Sequence, residues 1–118
     1  MIGLSGSTRI FLYSGATDMR KSFNGLSGLV AQHFPERDLL AGDLFLFFNR
    51  RRDCIKLLCW DRDGLALWYK RLEAGSFQID ALGKSDAALE IDPTSLSMLL
   101  SGIDLTNVKR RKRYRAAA

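Results

Sequence analysis

Residues 43–48 read "DLFLFF", and this short run limits the fold more than any other stretch of the chain. Successive side chains of a strand point to opposite faces. Leu44, Leu46 and Phe48 would therefore point one way, and Phe45 and Phe47 the other. Both faces are apolar. Such a strand has to be covered on both sides, by a helix on one and by another layer or subunit on the other.

The flanking sequence offers the cover. Residues 9–13, "RIFLY", form a β-prone run that ends at Ser14 and Gly15. Beyond it, Met19, Phe23, Leu26, Val30 and Phe34 recur at helical spacing. That stripe predicts a helix over 18–34, capped by Thr17 or Asp18 and ended by Pro35. Gly25 and Gly28 lower its intrinsic stability and allow close approach of another backbone. Towards the C-terminus, Pro93 suits the first position of a short helix with Asp92 as its cap. Leu96, Leu99, Leu100 and Ile103 face inward there, and Gly102 stands at its end.

Between these helices lies "NRRRDCIKLLCWDRDGLALWYKRLE", residues 49–73. It reads as a hairpin with strands at 54–60 and 65–72, joined by "DRDG", in which Asp-Gly favours the positive φ of tight turns. A loop of two or of four residues gives the same parity. Lys56, Leu58, Trp60, Leu65, Leu67, Tyr69 and Arg71 share one face, and Ile55, Leu57, Cys59, Ala66, Trp68, Lys70 and Leu72 the other. Gly75–Ile79 is expected to return as a further short strand. Residues 80–92 read as an acidic loop in which "AALEI" could form a strand. The resulting expectation is a single α+β domain over 1–108, followed by a flexible basic tail at 109–118. It comprises an antiparallel sheet of four to five strands, one long N-terminal helix packed on it and a short C-terminal helix. Two helices hardly cover two apolar sheet faces, so self-association is also expected.

Charge is placed as unevenly as apolarity. The net charge is +5, yet "KRRKRYR" at 109–115 holds six of the 18 basic residues and no acid, leaving 12 against 13 acidic side chains elsewhere. A neutral body with a cationic arm suggests an acidic partner, nucleic acid before a membrane surface. Within the body, pairing of the hairpin strands brings Arg50, Arg51, Arg52, Lys56, Lys70 and Arg71 together at the end away from the turn. Like charges set opposite one another cost stability. A cluster that accepts this cost, with only Asp53 and Glu73 nearby, fits a phosphate site, since arginine presents a planar fork of donors. Trp60, Trp68 and Tyr69 could stack on bases where exposed. Arg20 and Lys21 would extend the surface, and Lys109, Arg110, Arg111, Lys112, Arg113 and Arg115 would form its arm.

Catalysis is not expected. Asp61 and Asp63 sit in a turn that favours aspartate for conformational reasons, and Glu73 lies at the far end of the strand. His33 is the single histidine, so an activated serine or cysteine would lack its usual base. Cys54 and Cys59, five apart on one strand, point to opposite faces and read as buried, reduced, apolar residues. No metal site or cofactor is expected. No apolar run is long enough to span a membrane and no secretory signal opens the chain, which points to the cytoplasm.

Three stretches carry a resemblance: "GATDMRKSFNGLSGLV", "DLFLFFNRRRDCIKLLCWDRDGLALWYKRLEAGSF" and "IDPTSLSMLLSGID". Over roughly residues 3–106 the chain resembles the small accessory protein of insertion-sequence-66 type bacterial mobile elements. That protein is the product of their second open reading frame, often labelled TnpB and unrelated to the RNA-guided nucleases of the same label. The most specific parts are Thr17–Lys21 and the block from Arg52 to Phe77; the tail matches only in being basic. The resemblance implies an accessory factor acting beside a larger transposase, and it carries no catalytic residues. The expected function is a non-enzymatic accessory role in DNA transposition, with DNA or a DNA–transposase complex held by the hairpin end and the tail. The rival is a protein–protein adaptor, or oligomerisation module for the transposase, with only non-specific affinity for DNA.

Overall fold

The structure is a computed structural model that describes residues 8–79 and 87–101. Its centre is a five-stranded sheet in the order β4-β3-β2-β1-β5. The strands are β1 (Ile10–Ala16), β2 (Leu44–Phe48), β3 (Cys54–Asp61), β4 (Gly64–Arg71) and β5 (Ala88–Ile91). Helix α1 (Phe23–His33) and a single 3₁₀ turn (Leu39–Ala41) connect β1 to β2, and α2 (Pro93–Ser101) follows β5.

The sheet is mixed, which corrects the antiparallel expectation. β1 runs parallel to β2, from Ile10 opposite Leu44 to Tyr13 opposite Phe47, with an irregularity before Ala16. The physical reason is the connection. Parallel neighbours need a crossover of a dozen or more residues, and the segment holding α1 supplies one. The remaining pairs, β2–β3, β3–β4 and β1–β5, are antiparallel.

β2 sits in the middle with all five residues buried. Its two faces divide as the alternation requires. Phe45 and Phe47 join Phe11, Tyr13, Leu58 and, from α1, Leu26 and Val30. Phe34 closes this side by packing on Phe11 and Phe45, with ring centroids 5.4–5.6 Å apart. Leu44, Leu46 and Phe48 join Ile10, Leu12, Ile55, Leu57 and Cys59 beneath Leu96 and Leu99 of α2. Phe77 and Ile79 complete that second layer. The expected Gly75–Ile79 strand is instead an irregular segment laid across the sheet. It is tied by the Phe77 N–H donating to the Arg52 carbonyl at 2.6 Å, and Gly75 turns with φ 76°. Both faces of the central strands are thus covered within the chain, by one helix on one side and by a helix plus this segment on the other.

α1 is shorter than the predicted 18–34 helix. It starts at Phe23, with the Leu26 N–H donating to the Ser22 carbonyl. Asp18 caps a turn rather than the helix, accepting from the Arg20 and, through its carbonyl, the Lys21 backbone N–H groups. The carbonyls of Met19 and Lys21, which an earlier helix start would need as acceptors, both receive the Lys56 amine. The C-terminus is as expected, at His33 and ahead of Pro35. Of the two helix glycines, only Gly25 stands in a close approach, with Lys21 carbons 3.1 Å from where a Cβ would lie.

The hairpin pairs Lys56 with Tyr69, Leu57 with Trp68 and Leu58 with Leu67, which reproduces the expected faces. Its loop is the two residues Arg62 and Asp63, and the positive φ falls on Arg62 at 58°, not on the Asp-Gly pair. β5 arises from "AALEI", and Asp92 caps α2 by accepting from the Ser95 N–H at 2.6 Å. Gly102 and Ile103 lie outside the described residues. Because Phe47 is fully buried at the centre of the α1-side core, Phe47→Ala should lower unfolding free energy by about 3–5 kcal/mol. Urea denaturation followed by circular dichroism would measure it.

Candidate nucleic-acid interface

Parallel pairing of β1 and β2 sends both strands out of the sheet at one end, and the open end of the β3–β4 hairpin lies there too. Three segments meet at that end: the 17–22 loop after β1, the 49–53 turn after β2, and the chain leaving β4. The Thr17 N–H donates to the Phe48 carbonyl, and the Leu72 N–H to the Asp53 carbonyl. Arg20, Lys21, Arg50, Arg51, Arg52, Lys56, Lys70 and Arg71 therefore gather at one end, with Asp18, Asp53 and Glu73 as the acids among them. The other end carries Asp38, Asp43, Asp61, Asp63, Glu90 and Asp92, with Arg9, Arg37 and Arg62. The described body is electrically polar along its strands.

The gathered cations differ in what they do. Lys56 is only 5% exposed. Its Nζ donates to the Met19 carbonyl at 2.8 Å and the Lys21 carbonyl at 2.6 Å, and lies 4.8 Å from the centre of the Tyr69 ring. A lysine so enclosed fixes the 17–22 loop to the sheet and offers little to a ligand. Arg52 is half-buried with φ 60°, and its guanidinium donates to the Ser14 carbonyl at 3.3 Å. It too is structural in its contacts. Arg50, Arg51, Lys21, Lys70 and Arg71 are exposed. Arg71 is 3.9 Å from Glu73, a loose pair between two exposed side chains. Lys109, Arg110, Arg111, Lys112, Arg113 and Arg115 lie outside the described residues.

Two turns hold the exposed cations in place. In the 49–53 turn the Asn49 side chain donates to Asp53 Oδ1 at 2.6 Å and accepts from the Cys54 N–H at 3.0 Å. The Asn49 hydrogen bond, acting against partial desolvation, keeps the Asp53 carboxyl below its ordinary range. In the 17–22 loop Asp18 binds the Arg20 guanidinium at 2.7 Å and its backbone N–H at 2.9 Å. These bonds to Arg20 lower the Asp18 pKa from 3.8 to about 2. Neither turn lock was anticipated from the sequence. An Asx residue two positions before its bonded N–H, as in Asp18-Met19-Arg20, is the available signal.

Of the three aromatic candidates, Tyr69 is 52% exposed at the cationic end. Its hydroxyl donates to Cys54 Sγ at 3.7 Å, the main cause of its raised pKa. Trp60 is at the opposite end, paired with Leu65, and Trp68 packs half-buried against the α2-side core. His33 stacks on Tyr13 with ring centroids 3.9 Å apart. Asp61 and Asp63 are at the hairpin turn and Glu73 beyond the far end of β4, so these carboxylates do not converge. Among the described residues no three histidine, cysteine or acidic side chains form a metal-holding group, and no helix is long and apolar enough to cross a membrane.

Comparison with known proteins adds a lineage to this geometry. Residues 8–110 match the family model described as IS66 Orf2 like protein. The chain is 37% identical over 111 residues to the uncharacterized protein y4jC of Sinorhizobium fredii (strain NBRC 101917 / NGR234), covering 94% of this chain and 92% of that one. It is 36% identical over 104 residues to y4hO of the same strain, an uncharacterized protein as well, covering 88% of each. No solved structure matches.

Two outcomes test the geometry. Asp18 should titrate near pH 2, its carboxylate-bonded turn persisting above that pH and opening as the pH falls through it. In Arg20→Ala its midpoint should move partway back towards 3.8, since the backbone bond remains; side-chain NMR would follow both. Lys56→Met should cost about 1–3 kcal/mol by leaving two carbonyls without their donor. It should also speed amide exchange in the 17–22 loop.

Proposed function

Because the chain belongs to the IS66 Orf2-like protein family, we propose that it is a non-enzymatic accessory protein of DNA transposition that grips the phosphate backbone of element DNA, alone or with the transposase bound. Family membership ties the chain to insertion sequences and their movement. The observation that carries the DNA reading is the segregation of charge, with Arg50, Arg51, Lys70 and Arg71 exposed beside Arg20 and Lys21 at one end of the sheet. The tail cations at 109–115 would add affinity from an arm. Arginine forks bind phosphate oxygens in pairs, and such contacts set position on a duplex without reading its sequence. Tyr69 supplies an exposed ring at the same end for an unpaired base. Lys56 and Arg52 hold the scaffold in this account and drop out of the contact surface.

The adaptor reading needed an uncovered apolar sheet face. Both faces of β1, β2 and most of β3 are covered by the chain's own elements, which favours the DNA reading over an adaptor that uses those faces.

Binding to duplex DNA should weaken with salt, with a slope of log affinity against log salt of about −0.9 per phosphate neutralised. Arg50→Ala with Arg51→Ala should flatten the slope by up to about two, and removal of residues 109–118 by several units. Arg62→Ala, at the opposite end, should leave it unchanged. Fluorescence anisotropy over a salt series measures all three. A folded Arg50/Arg51 double variant with the wild-type slope would take the 49–53 turn out of the contact surface.

A further inference from the structure

The free edge of β4 is a different kind of surface from the cationic end. β4 is the terminal strand of the sheet, and among the described residues no strand pairs with its outer side. It is eight residues long and pairs with β3 without a break, from Cys54 opposite Arg71 to Asp61 opposite Gly64. Exposed edges are normally protected by shortness, by a bulge, by proline or by charged side chains, lysine above all. The other edge, β5, has two of these features, being four residues long and carrying Glu90 bound to Arg9. β4 carries charge only at its last two residues, Lys70 and Arg71, and its stretch from Leu65 to Tyr69 has none of these features. All five of its residues are apolar or aromatic and none is fully buried, whereas four of the five residues opposite them, Lys56–Cys59 of β3, are buried and the fifth, Trp60, is half-buried.

We propose that β4 pairs antiparallel with β4 of a second copy of this chain, making a continuous ten-stranded sheet across a two-fold axis. Charge supports this occupant over any other. The body is positive at the end where β4 finishes and negative at the end where it starts. Antiparallel pairing sets the positive end of each copy beside the negative end of the other, and parallel pairing would oppose like ends. The register follows from parity. A two-fold axis normal to the sheet keeps the α1-side face of both copies on the same side, so opposed residues are both odd or both even in number. Centring on Leu67 places Leu67 opposite itself, Tyr69 opposite Leu65, and Arg71 beside Asp63, the turn residue just ahead of β4, twice over. Centring on Trp68 would set Arg71 opposite Leu65, with no carboxylate across from it. The Leu67 register is the one the charges select. Arg71 and Asp63 are both exposed in the single chain and so available to pair. In the dimer the two phosphate-facing ends stand at opposite ends of the shared strand pair.

The test is sedimentation equilibrium of the full chain without nucleic acid, from micromolar to hundreds of micromolar. The wild type should shift from one chain to two across that range. Arg71→Asp and Asp63→Arg should each weaken dimerisation about tenfold, and the double swap should restore it to within about threefold of wild type. Both positions are exposed, and circular dichroism checks that each variant folds. A mass of one chain at every concentration overturns the proposal. So does a dimer that the single swaps leave unchanged, or a double swap as weak as the singles.

Discussion

The parallel pairing of β1 with β2 governs what this molecule presents to its surroundings. Had the two strands run antiparallel, the 17–22 loop and the 49–53 turn would have left the sheet at opposite ends. Parallel, they leave together, and the β3–β4 hairpin adds its open end beside them. Cations scattered over some fifty positions of sequence thereby become neighbours. The same geometry sends the acids to the other end, because Asp43 precedes β2, the hairpin turn carries Asp61 and Asp63, and Asp92 follows β5. Charge separation along the strands is thus a product of topology.

Lys56 completes the arrangement. A lysine on a central strand with two apolar neighbours is costly to bury unless its protons are used. Here two backbone carbonyls and an aromatic face use them. The return is a loop fastened to the sheet end, with Arg20 locked to Asp18 on its outer side. A flexible loop bearing the same two cations would lose conformational entropy on binding; a fastened one has already lost it. The outward cations can therefore be read as prearranged and the inward ones, Lys56 and Arg52, as the means of prearrangement.

Much of the fold was legible where periodicity is strict. The two-faced alternation of "DLFLFF" placed Phe45 and Phe47 on one core and Leu44, Leu46 and Phe48 on the other. Strand parity placed Lys56 and Tyr69 on one face whatever the loop length, and the structure pairs them. Strand direction was not legible from alternation, because parallel and antiparallel strands share it; the β–α–β order of β1, α1 and β2 was the cue that outweighs it. The start of α1 was misplaced because the apolar stripe from Met19 looked helical. Its first turn is undone by a lysine far away in sequence, which no local pattern reports. The cover supplied by Phe77 was missed for the same reason. An irregular segment has no period, and it fills the layer that self-association was invoked to fill. At the site, residue types pointed to the cationic end, but burial alone divides Arg50 and Arg51 from Lys56 and Arg52.

The central claim is that the positive end of the sheet is the contact surface for an anionic partner. Amide chemical-shift mapping during titration with a short DNA duplex tests it most directly. Perturbations should cluster in 18–21, 49–53 and 69–73, while 38–43 and 90–92 stay still. Perturbations centred on the 38–43 or 90–92 segments, or none in the body at saturating DNA, would contradict it.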